Sequence, residues 1–143
     1  MKIRALDYNE IPDIVELHKC SIVPIWRKAG RAFDLKKIEK WLRETYNQQK
    51  IFCSEDNKKI IACGSVRFMK FEGRKQAEIG IMLVSEKEQK KGHGKGMINF
   101  LEDYAKKEGA EEIMLTVLIK NPAVKFYKHL GYKEYKLVMK KDF

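Results

Sequence analysis

The chain has 143 residues, with 30 Lys and Arg against 20 Asp and Glu, for a formal net charge of +10. That length suits one α/β domain able to bury a core around a sheet, and no window approaches the run of about 18 apolar residues that a membrane span needs. The first residues, Met1-Lys2-Ile3-Arg4-Ala5-Leu6-Asp7, carry no apolar secretion core, so the chain is expected to be cytoplasmic.

In chain order, Lys2 to Leu6 reads as a short strand and Asn9 to Cys20 as a helix, with Ile11, Ile14, Val15 and His18 on one face. Ser21 to Asp34 mixes Pro24, Trp26 and Gly30 with Arg27, Lys28 and Arg31. Such a stretch suits a loop at the mouth of a cleft or a plain helix-to-helix connector. Leu35 to Tyr46 is a second helix, with Ile38, Trp41, Leu42 and Tyr46 on its apolar side. Lys50 to Ser54 and Ile60 to Met69 read as hairpin strands around Glu55-Asp56-Asn57, and Gly73 marks the turn before a strand from Ala77 to Val84.

Met97 to Lys107 is an amphipathic helix with Met97, Leu101, Tyr104 and Ala105 on its inner face and Gly109 beyond its end. Glu112 to Leu118 follows as a strand, parallel to the one before the helix. The next helix is punctuated by Asn121 as cap, Pro122 at its first position and Gly131 past its end. Tyr132 to Met139 reads as a final strand.

Between the Ala77 strand and the long helix lies Gln89-Lys90-Lys91-Gly92-His93-Gly94-Lys95-Gly96. Glycines there let backbone N–H groups converge at a positive helix end, and Lys90, Lys91 and Lys95 add charge, so the expected ligand carries phosphate. Neither the phosphate loop G-x-x-x-x-G-K-[ST] nor the dinucleotide fingerprint G-x-G-x-x-G is present at this turn. Cys20, Cys53 and Cys63 lie in largely apolar surroundings and form no C-x-x-C pair, so they read as reduced core thiols and no metal site is expected. Basic residues are spread over nearly every segment, without a stripe interleaved with aromatics. That distribution favours a solvated basic surface with an anionic ligand over a nucleic-acid footprint.

Gln89, Gly92 and Gly94 satisfy Q/R-x-x-G-x-G/A, which resembles the acyl-CoA pyrophosphate loop of the GNAT superfamily of N-acetyltransferases. The preceding string from Ala77 to Gln89 resembles the fourth strand of coactivator-type histone acetyltransferases. Asn121, Ala123, Phe126, Tyr127, Gly131 and Tyr132 resemble a second family motif, N-x-x-A-x-x-F-Y-x-x-x-G-[FY], with Ala123 one place early. The resemblance covers the chain and is strong from Ala77 to Tyr132. It implies an α/β GNAT domain over residues 1–143, with a mixed, mostly antiparallel sheet of six or seven strands and helices on both faces.

The resemblance also implies acetyl-CoA as co-substrate and transfer of its acetyl group to a primary amine. Gln89, Lys90, Lys91, Gly92, His93, Gly94 and Lys95 would hold the pyrophosphate. The backbone of Met82, Leu83 and Val84 would hold the pantetheine arm, and the Met82 amide would face the carbonyl oxygen. Tyr127 stands where the family places its general acid, or is an aromatic core residue beside Phe126. Glu78 stands where histone acetyltransferases place a glutamate base, with a water relay, a solvent-facing strand carboxylate or a salt bridge to a neighbouring lysine as the other readings. Asn121 contacts the cofactor or an ordered water, or only caps its helix. The acceptor is a small-molecule or protein amine taken by a monomer or homodimer, and the charges of Arg27, Lys28 and Arg31 would favour an acidic neighbour to that amine. A silent acyl-CoA-binding module and a basic nucleic-acid-binding domain remain as other classes.

Overall fold

The computed structural model describes residues 1–143. Its sheet has five strands in chain order: β1 (Ile3–Ala5), β2 (Lys50–Asp56), β3 (Lys59–Phe71), β4 (Arg74–Val84) and β5 (Glu112–Leu115). The first four are antiparallel neighbours, and β5 joins β4 in parallel. A parallel neighbour needs a crossover, which here contains α4 (His93–Lys107). The turns joining β2 to β3 and β3 to β4 place Asn57 and Lys58, then Glu72 and Gly73, at positive φ, the pairing that matches a two-residue hairpin to strand twist.

Helices α1 (Ile11–Ser21), α2 (Val23–Lys28) and α3 (Leu35–Thr45) come before β2, and α5 (Ala123–His129) follows β5. Ile11, Ile14 and Leu17 of α1 and Leu42 of α3 pack on one face with Ile51, Cys53, Cys63, Ile81 and Leu83. Met97, Ile98 and Leu101 of α4 pack on the other with Ala62, Val66, Ala77 and Ile79, joined by Phe126 and Tyr127 of α5. Each of those three α4 side chains is fully buried, which contributes about 1.5–3 kcal/mol apiece relative to exposure. Gly64 makes the close approach possible, since a Cβ there would lie 2.7 Å from Met97 Cγ and 2.9 Å from Leu101 Cδ1.

A bulge on β4 decides which side chains face which helices. Gly64 pairs with Met82 but Val66 with Ile79, so Gly80 and Ile81 together oppose Ser65. The extra residue reverses the in-out alternation. Ala77 and Ile79 face α4 before the bulge, and Met82 and Val84 face it afterwards, while Ile81 and Leu83 turn to α1 and α3. The Ser65 hydroxyl sustains the irregularity by accepting the Ile81 N–H at 2.9 Å.

Three sequence expectations need correction. The sheet has five strands, because Tyr132 to Met139 pairs with none; its alternation meets the local requirement of a strand without supplying a ladder partner. Ser21 to Asp34 is not one loop, since Val23–Lys28 is helical, with Pro24 in the first turn where its missing N–H costs nothing. Cys20 is exposed, whereas Cys53 and Cys63 are buried thiols. No helix is long and apolar enough to cross a membrane.

Candidate active site

The β4–β5 ladder runs only from Gln76 opposite Glu112 to Ile79 opposite Leu115, while β4 continues to Val84. Beyond Ile79, the β5-facing edge of β4 therefore has no strand beside it. The bulge sits where the strands part. Gly80 fits there because a Cβ would press on Ser65 Oγ at 3.2 Å and Gln49 Oε1 at 3.3 Å. An open edge of this kind can receive an extended ligand through main-chain hydrogen bonds.

Past Val84 the chain turns through Glu86–Glu88 and the glycine stretch into α4. The helix starts at His93, earlier than the sequence expectation of Met97, because Gly92 adopts φ 89° and ends the turn in a left-handed conformation. Lys90 also has positive φ. The Gly96 N–H bonds to Gly92 O, leaving the first-turn amides of His93, Gly94 and Lys95 directed out of the helix end. Gln89 ties this turn to the strand, its Nε2 donating to Val84 O at 3.2 Å. Gly96 serves packing rather than the turn, since a Cβ there would lie 2.6 Å from Met1 Cε.

Glu88, which the motif reading passed over, lies 3.4 Å from Lys91 Nζ and 3.3 Å from His93 Nε2. It offsets part of the positive charge at the helix mouth. The three-residue spacing of Glu88 and Lys91 was the available signal. His93 Nδ1 lies 3.2 Å from Met1 Sδ, so this imidazole packs against the end of the chain.

Gly94 is the meeting point of three elements. A Cβ on it would lie 3.3 Å from Phe126 Cζ, 3.8 Å from Met82 Cε and 3.8 Å from Val84 Cγ2. The open end of β4, the amides of α4 and the aromatic face of α5 thus converge. Tyr127 packs against Phe126 at a tilt and against Tyr132 edge to face, with ring centroids 5.3 and 6.0 Å away. Burial alone pushes its hydroxyl up to about 12, with no side-chain hydrogen bond contributing. Asn121 Oδ1 accepts the Ala123 N–H at 2.9 Å and so orders the first turn of α5, which begins at Ala123.

Glu78 lies before the bulge and faces the opposite side of the sheet from Tyr127, as its parity with the residues facing α4 requires. Arg67, directly across on β3, holds it: Arg67 Nη2 donates to Glu78 Oε1 at 2.8 Å. The sequence reading missed Arg67, although counting back equally from a turn at Glu72-Gly73 pairs it with Glu78.

The family model of the acetyltransferase (GNAT) family matches residues 8–132. The chain belongs to the GNAT family of acetyltransferases. An uncharacterised N-acetyltransferase of Methanocaldococcus jannaschii is 31% identical over 148 residues, covering 95% of this chain and 62% of that protein. The histone acetyltransferase GCN5 of Yarrowia lipolytica is 29% identical over 92 residues, 64% of this chain and 20% of that one. The GNAT chain therefore spans about three fifths of the archaeal relative and a fifth of the yeast one. A predicted acetyltransferase from Clostridium acetobutylicum, solved with acetyl-CoA, superposes with a TM-score of 0.76 at 19% identity, covering 99% of this chain and 95% of that one. The last comparison speaks to the fold alone.

Proposed function

We propose that this chain is an N-acetyltransferase that moves an acetyl group from acetyl-CoA to a primary amine by direct attack, with both substrates held where β4 and β5 part. The observation that carries the reading is the convergence at Gly94 of an open strand edge, outward helix amides and the Tyr127 helix. That arrangement fits acetyl-CoA: the α4 amides suit a pyrophosphate, and the free edge of β4 suits an amide-bearing arm. When bound, acetyl-CoA would supply a thioester whose carbonyl carbon accepts the amine.

In this reading the backbone from Gln89 to Lys95 holds the pyrophosphate, with Lys90, Lys91 and Lys95 as mobile counter-charge. Gln89 acts through its amide and by anchoring Val84 O. The backbone of Met82, Leu83 and Val84 aligns the arm, and the Met82 N–H faces the carbonyl oxygen as negative charge grows on it. Asn121 holds the start of α5 and keeps its side-chain NH2 for the ligand.

Glu78 takes a proton from the arriving ammonium, directly or through one water, and so frees the nitrogen lone pair for attack, since a lysine-type amine with pKa about 10.4 arrives charged at neutral pH. Tyr127 keeps its proton throughout the neutral range, because burial raises its hydroxyl to about 12, and offers it to the departing sulfur. The same apolar surroundings also raise the pKa of a thiol beside it, so donor and acceptor shift together.

Thiol release from acetyl-CoA, followed with lysine peptides, N-terminal peptides, amino acids and polyamines, tests the proposal and separates acceptor classes. Amine-dependent release is the expected result. Tight acetyl-CoA binding without release on any amine would instead make the chain a silent acyl-CoA-binding module, and salt-sensitive retention of DNA or RNA without either activity would make it a nucleic-acid-binding domain.

A further inference from the structure

Gln49, the residue just before β2, has a side chain that neither the sequence motifs nor the chemistry above uses. Extending the β2–β3 register one step back from Lys50 opposite Val66 sets Gln49 opposite Arg67, which in turn lies opposite Glu78. The three form one row across the sheet. Ile51, two residues further along, packs with α1 and α3, so strand parity turns Gln49 to that same face, away from Tyr127.

Two hydrogen bonds decide which way the Gln49 amide points. The hydroxyl of Thr45, the last residue of α3, gives its one proton to Trp41 O at 2.8 Å, so its oxygen can only accept. Gln49 Nε2 donates to that oxygen at 3.0 Å, which sends Oε1 the other way, towards the bulge. There Oε1 stops 3.3 Å from where a Cβ on Gly80 would stand. No side-chain oxygen or nitrogen of the molecule is sealed off without a partner. Oε1, to which no group of the chain donates, is therefore open to a ligand.

Gly80 is two residues from Glu78 and two from Met82, about 7 Å along the strand in either direction. In the acetyl-transfer reading Glu78 takes a proton from the amine, and the Met82 N–H faces the carbonyl oxygen of the group attacked. The nitrogen therefore works between them, beside Gly80. An arriving primary ammonium carries three N–H groups. With one directed at Glu78 and a second at Gln49 Oε1, the lone pair freed on deprotonation has a fixed direction. An uncharged amide suits this place, because it accepts the N–H without holding the proton on the amine.

We infer that Gln49 binds the acceptor: its Oε1 takes one N–H of the attacking amine beside Gly80, and Thr45 holds the amide in the orientation this requires. The inference deepens the acetyl-transfer reading and rests on it.

Steady-state kinetics on the full chain test it, with lysine peptides, N-terminal peptides, amino acids and polyamines each as the varied substrate. Gln49→Met keeps the length of the side chain and removes its acceptor oxygen. In a variant whose circular dichroism matches the parent, the amine KM should rise and kcat/KM fall about tenfold or more, the scale of one hydrogen bond to a charged donor. The loss should be alike for every amine that reacts, because Oε1 meets the nitrogen and not the rest of the acceptor. Acetyl-CoA affinity by calorimetry should not change. Thr45→Val leaves Gln49 in place, so it should lower kcat/KM by a smaller factor and add nothing in the Gln49→Met background. In 15N spectra the side-chain NH2 pair that Gln49→Met lacks should shift when the reacting amine joins protein saturated with coenzyme A. A parent that releases no thiol with any amine would overturn the acetyl-transfer reading and this inference with it. Amine-dependent release by the parent, with an unchanged amine KM in folded Gln49→Met, would overturn this inference alone. If Gln49→Met does not fold, an unchanged amine KM in Thr45→Val or an unmoved NH2 pair in the parent would overturn it.

Discussion

Arg67 Nη2 lies 2.8 Å from Glu78 Oε1, across the hairpin of β3 and β4 and one pair before the last rung of the β4–β5 ladder. The arginine is half exposed, so the pair adds at most about 1 kcal/mol to folding. Its effect should instead appear in catalysis, by fixing the carboxylate's orientation. Glu78→Gln should slow acetyl transfer about a hundredfold, and Arg67→Ala should slow it less, with little change in melting temperature. In the Glu78→Gln background Arg67→Ala should add nothing, because residues that act through one another do not add. Fully additive losses would detach Arg67 from Glu78.

Tyr127→Phe removes a hydroxyl whose only perturbation is burial and keeps the ring between Phe126 and Tyr132. Stability and acetyl-CoA affinity should therefore stay close to the parent, while kcat falls about a hundredfold or more. Stopped-flow thiol release would check this. A kcat near the parent's would show that the sulfur leaves by protonation from water.

Gly64→Ala should press α4 off the sheet, because its Cβ meets Met97 and Leu101 at 2.7 and 2.9 Å. Overpacking of this kind costs about 1–3 kcal/mol. Urea denaturation should show a lower midpoint, and acetyl-CoA affinity should fall as the α4 amides shift. An unchanged midpoint would mean that Met97 and Leu101 repack without moving the helix.

His18 is buried on the inner face of α1, and burial lowers its pKa from the ordinary 6.5, partly offset by its contact with Ile14 O. Below pH 6.5 the unfolded chain takes up a proton that the folded chain refuses. His18's neutral form therefore contributes stability fully above that pH and progressively less as pH falls towards the folded value. The melting temperature should drop between pH 7 and 5, and His18→Gln should flatten that interval. Glu10, lowered chiefly by its hydrogen bond from Arg4, loses its contribution only as pH falls below about 4.5. A slope that persists in His18→Gln would assign it to another group.

The second half of the chain was legible because its signals are local. Gly109, Pro122 and Gly131 punctuate helices through their own backbone preferences, and the stripe of Met97, Leu101 and Ala105 marks a buried face without reference to any partner. The bulge was less accessible, since it depends on Ser65, sixteen residues away, accepting the Ile81 N–H. It also puts Glu78 and Met82 on opposite faces, where a spacing of four along a strand would put them on the same one. Tyr132 to Met139 shows the converse limit: alternation states that a segment can be a strand, while the partner that makes it one lies elsewhere. α2 hid behind Pro24 and Gly30, which read as loop although Pro24 opens a helix.

Calorimetric titration of acetyl-CoA into the parent and into Gly92→Glu tests the central claim most directly. Nothing lies within 4 Å of a Cβ at Gly92 and its φ is +89°, so glutamate there costs roughly 1–2 kcal/mol of backbone strain and sets a negative charge at the positive end of α4. Saturable binding by the parent, competed by free coenzyme A and lost in a variant that remains folded, is the predicted result. Equal affinity in a folded Gly92→Glu variant would contradict it.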